Sequence, residues 1–188
     1  MSDLPDAALR PERLPGDLTH RAAIARMIRV DHAGEYGAKR IYQGQLAVLG
    51  RGRQGDTIRH MQDQEQVHLD TFAGLIARRR VRPTALLPFW HLAGFVLGAA
   101  TAAIGERAAM ACTVAVEEAI DEHYAAQAAA LGEDEAELRD TIEKFRAEEL
   151  EHRDIGLQNG AELATGYSVL SRVIKVGCKI AIAASERI

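Results

Sequence analysis

Cysteine is nearly absent from this 188-residue chain: only Cys112 and Cys178 occur, and no Cys-x-x-Cys is formed. That excludes a zinc ribbon or a rubredoxin-type centre and fits a reducing compartment. Aromatic residues make up only 5%. Gly and Pro gather between long periodic stretches instead of recurring at short intervals, which argues for helices and against a sheet. There is no surplus of basic charge, the net being −4, so no broad surface for nucleic acid is expected. The local exception, Arg78-Arg79-Arg80-Val81-Arg82, fits contact with anionic lipid or a solvated helix end. Residues 1–20 lack an apolar core, carry Asp3, Asp6, Glu12 and Asp17, and hold Pro5, Pro11 and Pro15. This pattern is neither that of a secretory signal nor that of a transit peptide, and a flexible leader is expected over residues 1–18, ahead of one domain over 19–188.

With 47% hydrophobic residues the chain can bury a good-sized core. Periodicity predicts helices over about residues 19–49, 56–80, 106–131 and 134–159, with a last segment over 167–185. Gly50, Gly52 and Gly55 reproduce the string of a dinucleotide fingerprint, but they join two helices and follow no strand, so a turn is expected. Residues 85–105 contain no charged side chain. The stretch is long enough to span a bilayer, yet it includes Pro88 and His91.

What the chain does have is a pair of Glu-x-x-His motifs, Glu65-Gln-Val-His68 and Glu149-Leu-Glu-His152. Each sits in core register: Ile58, Met61, Glu65, His68, Phe72, Leu75 on one helix and Leu138, Ile142, Phe145, Glu149, His152, Gly156 on the other. A carboxylate and an imidazole one turn apart on one face can reach a single ion. Ahead of each motif, one helix earlier, stands a lone inward glutamate. On the first helix the inner stripe is Ile24, Ile28, Asp31, Glu35, Ala38, Tyr42 and Leu49; on the fourth it is Met110, Thr113, Glu117, Ile120, Tyr124, Gln127 and Leu131. The same register leaves Glu118, Asp121 and Glu122 on the polar side, and Glu148 and Glu151 on the flank or surface. The chain thus reads as two copies of a helical hairpin, with Tyr42 and Tyr124 at the same offset from Glu35 and Glu117.

Four carboxylates buried without compensation would cost several kcal/mol each, so positive charge must sit among them. Two divalent ions balance four carboxylates, and an oxygen-rich set with one imidazole per metal suits iron or manganese. A lone glutamate from each of two helices and Glu-x-x-His from each of two others is the ligand pattern of the ferritin-like di-iron carboxylate proteins, and this chain matches it.

The blocks Asp31-His-Ala-Gly-Glu35-Tyr-Gly-Ala, Gln64-Glu65-Gln-Val-His68, Ala111-Cys-Thr-Val-Ala-Val-Glu117-Glu and Phe145-Arg-Ala-Glu-Glu149-Leu-Glu-His152-Arg-Asp-Ile-Gly resemble the demethoxyubiquinone hydroxylase family of ubiquinone biosynthesis. The likeness runs from about residue 20 to the closing Ser185-Glu-Arg. The resemblance implies an all-α, ferritin-like four-helix bundle with an apolar crossover helix and a C-terminal amphipathic helix. It implies two irons per chain held by Glu35, Glu65, His68, Glu117, Glu149 and His152, with one or two glutamates bridging. It implies O2-dependent ring hydroxylation of a polyprenyl demethoxyubiquinol. By the same resemblance Tyr124, with His123 beside it, is a candidate for electron transfer or substrate contact, whereas Tyr42 reads as a packing residue. Gly34, Gly37 and Gly44 fit a quinone channel or close helix packing equally well.

A single membrane span over residues 85–105 would put the two halves of the ligand set on opposite sides. The segment is therefore expected to lie along one leaflet or fold back on the bundle, with Trp90 suited to the headgroup boundary. Arg172, Lys175 and Lys179, opposite Val169, Val173, Val176 and Ile180, suggest a second interfacial helix. A peripheral enzyme on the cytoplasmic face of a bacterial inner membrane, or on the matrix side of a mitochondrial one, is the expectation. The electron donor, an accessory lipid-binding protein and homo-oligomerisation stay open. The rival readings are a membrane-bound di-iron quinol oxidase and a ferritin-like iron-binding protein.

Overall fold

The computed structural model describes residues 18–188; the leader expected over residues 1–18 lies, but for its last residue, outside them. Six helices follow one another: α1 (His20–Leu49), α2 (Gly55–Arg79), α3 (Leu87–Ile104), α4 (Glu106–Ala130), α5 (Ala136–Gln158) and α6 (Tyr167–Ser185). Short 3-10 turns occupy Glu133–Glu135 and Ala161–Leu163. Among the described residues there is no strand.

Local chemistry sets the ends of these helices. Thr19 caps α1, its hydroxyl accepting from the Ala22 amide at 3.1 Å. The arginine run closes α2: Arg80 takes a left-handed conformation at the C-cap, Arg79 pairs with Glu135 at 2.6 Å, and the Arg82 carbonyl accepts from Arg29 Nε at 2.8 Å. Between α3 and α4 the chain turns at Gly105, whose φ of 143° residues with a side chain rarely adopt. The Gly50 to Gly55 segment is the tight α1–α2 connection, with helices on both sides of it.

The bundle is built from two hairpins, α1 with α2 and α4 with α5, while α3 lies along α1 and α6 lies along α4. α4 is the central helix, buried on every side from Ala108 to Glu117. One apolar cluster, including Ile24, Ile28, Phe72, Leu138, Ile142 and Phe145, fills one end of the bundle; another, including Ile58, Met61, Met110 and Val114, fills the other.

α3 is long and apolar enough to cross a membrane by length and composition, but it packs against the bundle through Gly94, Gly98, Thr101 and Ala102. Its other face presents Phe89, Leu92, Val96 and Ile104, each more than half exposed. On α6 two residues of the basic stripe have partners on α4. Lys175 pairs with Glu118, and Lys179 pairs with Glu122 at 2.9 Å, both across the α4–α6 contact. Val169, Val173, Val176 and Ile180 are left pointing outward, each more than half exposed.

The α1–α3 contact depends on missing side chains. A Cβ on Gly98 would run into the Ile41 carbonyl, and one on Gly44 into the Phe95 carbonyl, whereas one on Gly37 would have nothing within 4 Å. Gly44 is therefore a packing glycine, and Gly34 and Gly37 border open space. Gly98→Leu should destabilise the protein by about 1–3 kcal/mol through overpacking. Gly37→Ala should stabilise it by roughly 0.5–1 kcal/mol, because a helical glycine is replaced without a clash. Urea unfolding midpoints of the two variants check both signs.

Candidate metal centre

All six inward residues meet in one layer between the two apolar clusters, and none is more than 1% exposed. Their donor atoms fall into two nests. Glu35, Glu65, His68 and Glu149 form one, and Glu65, Glu117, Glu149 and His152 form the other; within each, one donor atom per residue lies within 4.8 Å of the rest. Glu65 and Glu149 belong to both nests, while Glu35 and Glu117 each belong to one. Two adjacent cation positions would thus share the glutamates of the Glu-x-x-His motifs, with one imidazole at each end. The set fits metal because it is short of hydrogen donors. Neither oxygen of Glu65 has a hydrogen-bond partner, and Glu117 Oε2 has none. Such buried acceptors are costly unless a cation satisfies them.

The imidazoles are turned the same way. His68 presents Nδ1 to the centre, 3.0 Å from Glu149 Oε1 and 3.4 Å from Glu35 Oε2. His152 presents Nδ1 at 3.2 Å from Glu149 Oε2 and 3.4 Å from Glu65 Oε1. The far nitrogens cross between helices: His68 Nε2 lies 2.6 Å from Glu148 Oε2, and His152 Nε2 lies 3.0 Å from Gln64 Oε1.

The tyrosines cross in the same manner. Tyr124 donates to Glu35, on the other hairpin, and Tyr42 donates to Glu117 Oε1 at 2.6 Å. Both are buried, and burial, reinforced by Glu35 for Tyr124 and by Glu117 for Tyr42, pushes their hydroxyls well above the usual phenol range, so both remain donors. Tyr42, which reads as a packing residue in sequence, therefore touches the ligand layer as directly as Tyr124 does. What separates the two is their surroundings.

His123 is not part of the layer. Its Nε2 lies 3.3 Å from Asp31 Oδ1, which also accepts from Gln127 Nε2 at 2.7 Å. Burial raises Asp31 to about 6, against the lowering effect of His123. Tyr124 thus borders a charged polar cluster, whereas Tyr42 is packed among Ile58, Met61 and Met110, with only the uncharged Gln45, bonded to Ala109 and Thr113, at the equivalent place. Glu148 and Gln64 are contacts that register alone did not reveal. The signal was their place one residue before each inner glutamate, readable only once the two hairpins face each other.

As protein groups alone, the carboxylates compete for too little positive charge. Burial, followed by repulsion from Glu149, pushes Glu65 and Glu117 well above the usual carboxylate range. Burial works against the charged forms of both His68 and Glu149, but their mutual hydrogen bonding prevails. It raises His68 to about 11 with the help of Glu35, and it lowers Glu149 to about 2 with the help of His152.

A cavity of about 370 Å³ opens beside this layer. Its floor is made by Gly34, Gly37 and Val116, and its walls include Leu97 of α3 and Val173 and Gly177 of α6. Gly34 neighbours Glu35 and Val116 neighbours Glu117, so the groove reaches the backbone that carries both outer carboxylates. Cys178 also lines it, as a free thiol that burial raises to about 11.

Residues 22–185 match the family model described as Ubiquinone biosynthesis protein COQ7. The chain is 61% identical over 178 residues to the 3-demethoxyubiquinol 3-hydroxylase of Rhodospirillum rubrum, covering 94% of this chain and 84% of that protein. It is 56% identical over 176 residues to the human mitochondrial NADPH-dependent 3-demethoxyubiquinone 3-hydroxylase, covering 92% and 81%. It is 41% identical over 184 residues to the mitochondrial 5-demethoxyubiquinone hydroxylase of Saccharomyces cerevisiae, covering 89% and 79%.

His68, raised to about 11, holds a proton at neutral pH when no cation is present, and Glu65 and Glu117 are pushed in the same direction, toward the protonated form. A cation must displace those protons to bind. Metal uptake should therefore release protons, and apparent affinity should increase as pH rises. Calorimetric titration in buffers of different ionisation enthalpy measures this release; the same heat in every buffer would contradict it.

Proposed function

The chain belongs to the ubiquinone biosynthesis protein COQ7 family, and on that footing we propose that it is a 3-demethoxyubiquinol 3-hydroxylase working through a di-iron centre. The observation that carries the reading is the pair of nests sharing Glu65 and Glu149, with an imidazole at each end and with buried oxygens that lack hydrogen donors. Glu35, Glu65, His68, Glu117, Glu149 and His152 are the residues that would hold the two irons, Glu65 and Glu149 being common to both nests and Glu35 and Glu117 the outer carboxylates. Bound iron would supply the O2 activation that ring hydroxylation requires.

The protein's own groups supply placement. Tyr42 and Tyr124 hold the outer carboxylates by one oxygen each, leaving the other oxygen free to turn inward. The apolar clusters at both ends keep bulk water from the layer. The groove over Gly34 and Gly37 takes the prenyl tail, whose apolar surface matches its lining, and brings the quinol ring toward Glu35 and Glu117. Tyr124, backed by the Asp31–His123–Gln127 cluster, is the proposed group for proton or electron movement near the ring, with His123 acting through Asp31 and not by direct contact with the ligand layer.

The exposed faces of α3 and α6 flank the groove, and their apolar side chains suit the hydrocarbon boundary of one leaflet. We assign the enzyme to the surface of the membrane that holds its quinone, on the cytoplasmic side in a bacterium and on the matrix side in a mitochondrion. Its substrates are O2 and the polyprenyl demethoxyquinol.

Iron-loaded protein given a demethoxyquinol, O2 and a reductant should yield a ring-hydroxylated product by mass analysis. Formation of the simple quinone alone would instead support the quinol oxidase reading. Glu117→Ala should lose at least one of about two irons per chain, whereas Glu118→Ala, which removes the partner of Lys175, should keep both. Equal loss in the two variants would overturn the choice between these neighbours.

Replacing Phe89, Leu92 and Val96 together with serine should weaken liposome binding while leaving iron content intact. Gly37→Leu should fill the groove floor and raise the KM for a long-tailed quinol more than for a short-tailed analogue. Unchanged liposome binding, or an equal KM change for both tail lengths, would show that these surfaces do something else.

A further inference from the structure

The two hairpins repeat each other around the ligand layer, but the corresponding positions behind the two histidines differ in charge. Gln64 and Glu148 each stand immediately before the inner glutamate of a Glu-x-x-His motif, and each reaches across the bundle to the far nitrogen of the other motif's histidine. For Nδ1 to offer a lone pair to a cation, the ring proton must reside on Nε2. Both residues present an oxygen there, so both select that tautomer and fix the ring. The acceptors are unequal, however. His68 Nε2 meets a carboxylate at 2.6 Å, and His152 Nε2 meets an amide oxygen at 3.0 Å.

A carboxylate partner strengthens the hydrogen bond and makes the imidazole a better donor to metal than a neutral amide does. The His68 ring is held further by Phe145, stacked at a centroid distance of 4.0 Å. Lys144 Nζ approaches Glu148 Oε1 at 3.8 Å, but the lysine side chain is 64% exposed, so its charge is screened by solvent.

We propose that Glu148 and Gln64 are positioning residues that make the two metal positions unequal, the position beside His68 holding its ion more tightly than the one beside His152. The inference rests on the di-metal reading above. It concerns which residues set the difference between the two positions, and its readout is metal binding in the absence of turnover.

The test is anaerobic titration of the metal-free protein with Co2+, followed by ligand-field absorption and calorimetry. The wild type should bind in two resolved steps. Glu148→Gln should weaken the tighter step by about 10–100-fold and leave the other unchanged, so that the two steps converge. Gln64→Glu should tighten the weaker step. The exchange variant carrying both changes should recover two unequal steps, which a residue serving only to fill space would not achieve. Thermal unfolding of the metal-free variants verifies that each is folded.

Two identical steps in the wild type would overturn the inference, as would Glu148→Gln binding like wild type or losing affinity equally in both steps. A wild-type protein that takes up fewer than about two ions is a separate result. It would overturn the di-metal function itself.

Discussion

Four glutamates are confined to one buried layer, and the arrangement of the protein around them follows from that crowding. In a low-dielectric interior each uncompensated carboxylate costs several kcal/mol, so the layer is tenable only with cations or protons among its oxygens. The apolar clusters at either end of the bundle provide the burial that offsets this cost. They also hold α1, α2, α4 and α5 in the register that brings donor atoms from three helices within 4.8 Å in each nest, α1 serving one nest and α4 the other. Packing and site therefore depend on each other: apolar residues fix the positions, and the charge those positions demand selects the ligand.

Pseudo-twofold exchange organises the contacts immediately outside that layer. Tyr42 serves Glu117 and Tyr124 serves Glu35; Gln64 serves His152 and Glu148 serves His68. Every one of these bonds runs from one hairpin to the other. The hairpins are thus tied through the polar layer as well as through the core, and a change on one helix is felt by a ligand on the opposite one. The symmetry fails in charge at the Gln64/Glu148 pair and at the Asp31–His123–Gln127 cluster, whose counterpart on the Tyr42 side is the uncharged pair of Gln45 and Thr113.

The two helices outside the four-helix core frame a groove beside the layer. α3 is drawn close to α1 by Gly44 and Gly98, and α6 is paired with α4 through Lys175 and Lys179. The apolar groove left between them is floored by Gly34 and Gly37, and both helices turn large apolar side chains outward. On the proposed reading, an apolar substrate held in a membrane enters along this groove without crossing a polar surface. Surface ion pairs of this kind are of small worth, and the buried Ser171 and Ile174 mark the face that α6 turns to the bundle.

Much was legible in the sequence because periodicity reports burial. Glu35, Glu65, His68, Glu117, Glu149 and His152 occupy positions where a helix of this pattern must face inward, and a charged residue at such a place announces chemistry. The helices, the repeat and the choice of Glu117 over Glu118 follow from spacing along single elements. Contacts between elements do not. No pattern in the chain distinguishes Gly44, pressed against α3, from Gly37, which borders a cavity, since the difference lies in what the neighbouring helix places there. Tyr42 at the ligand layer, Glu148 behind His68, and the pairing of Lys175 and Lys179 with Glu118 and Glu122 of α4 were likewise decided by tertiary structure. A sequence records which face of a helix is buried, but only the packed bundle determines which side chain from another helix comes within hydrogen-bonding distance.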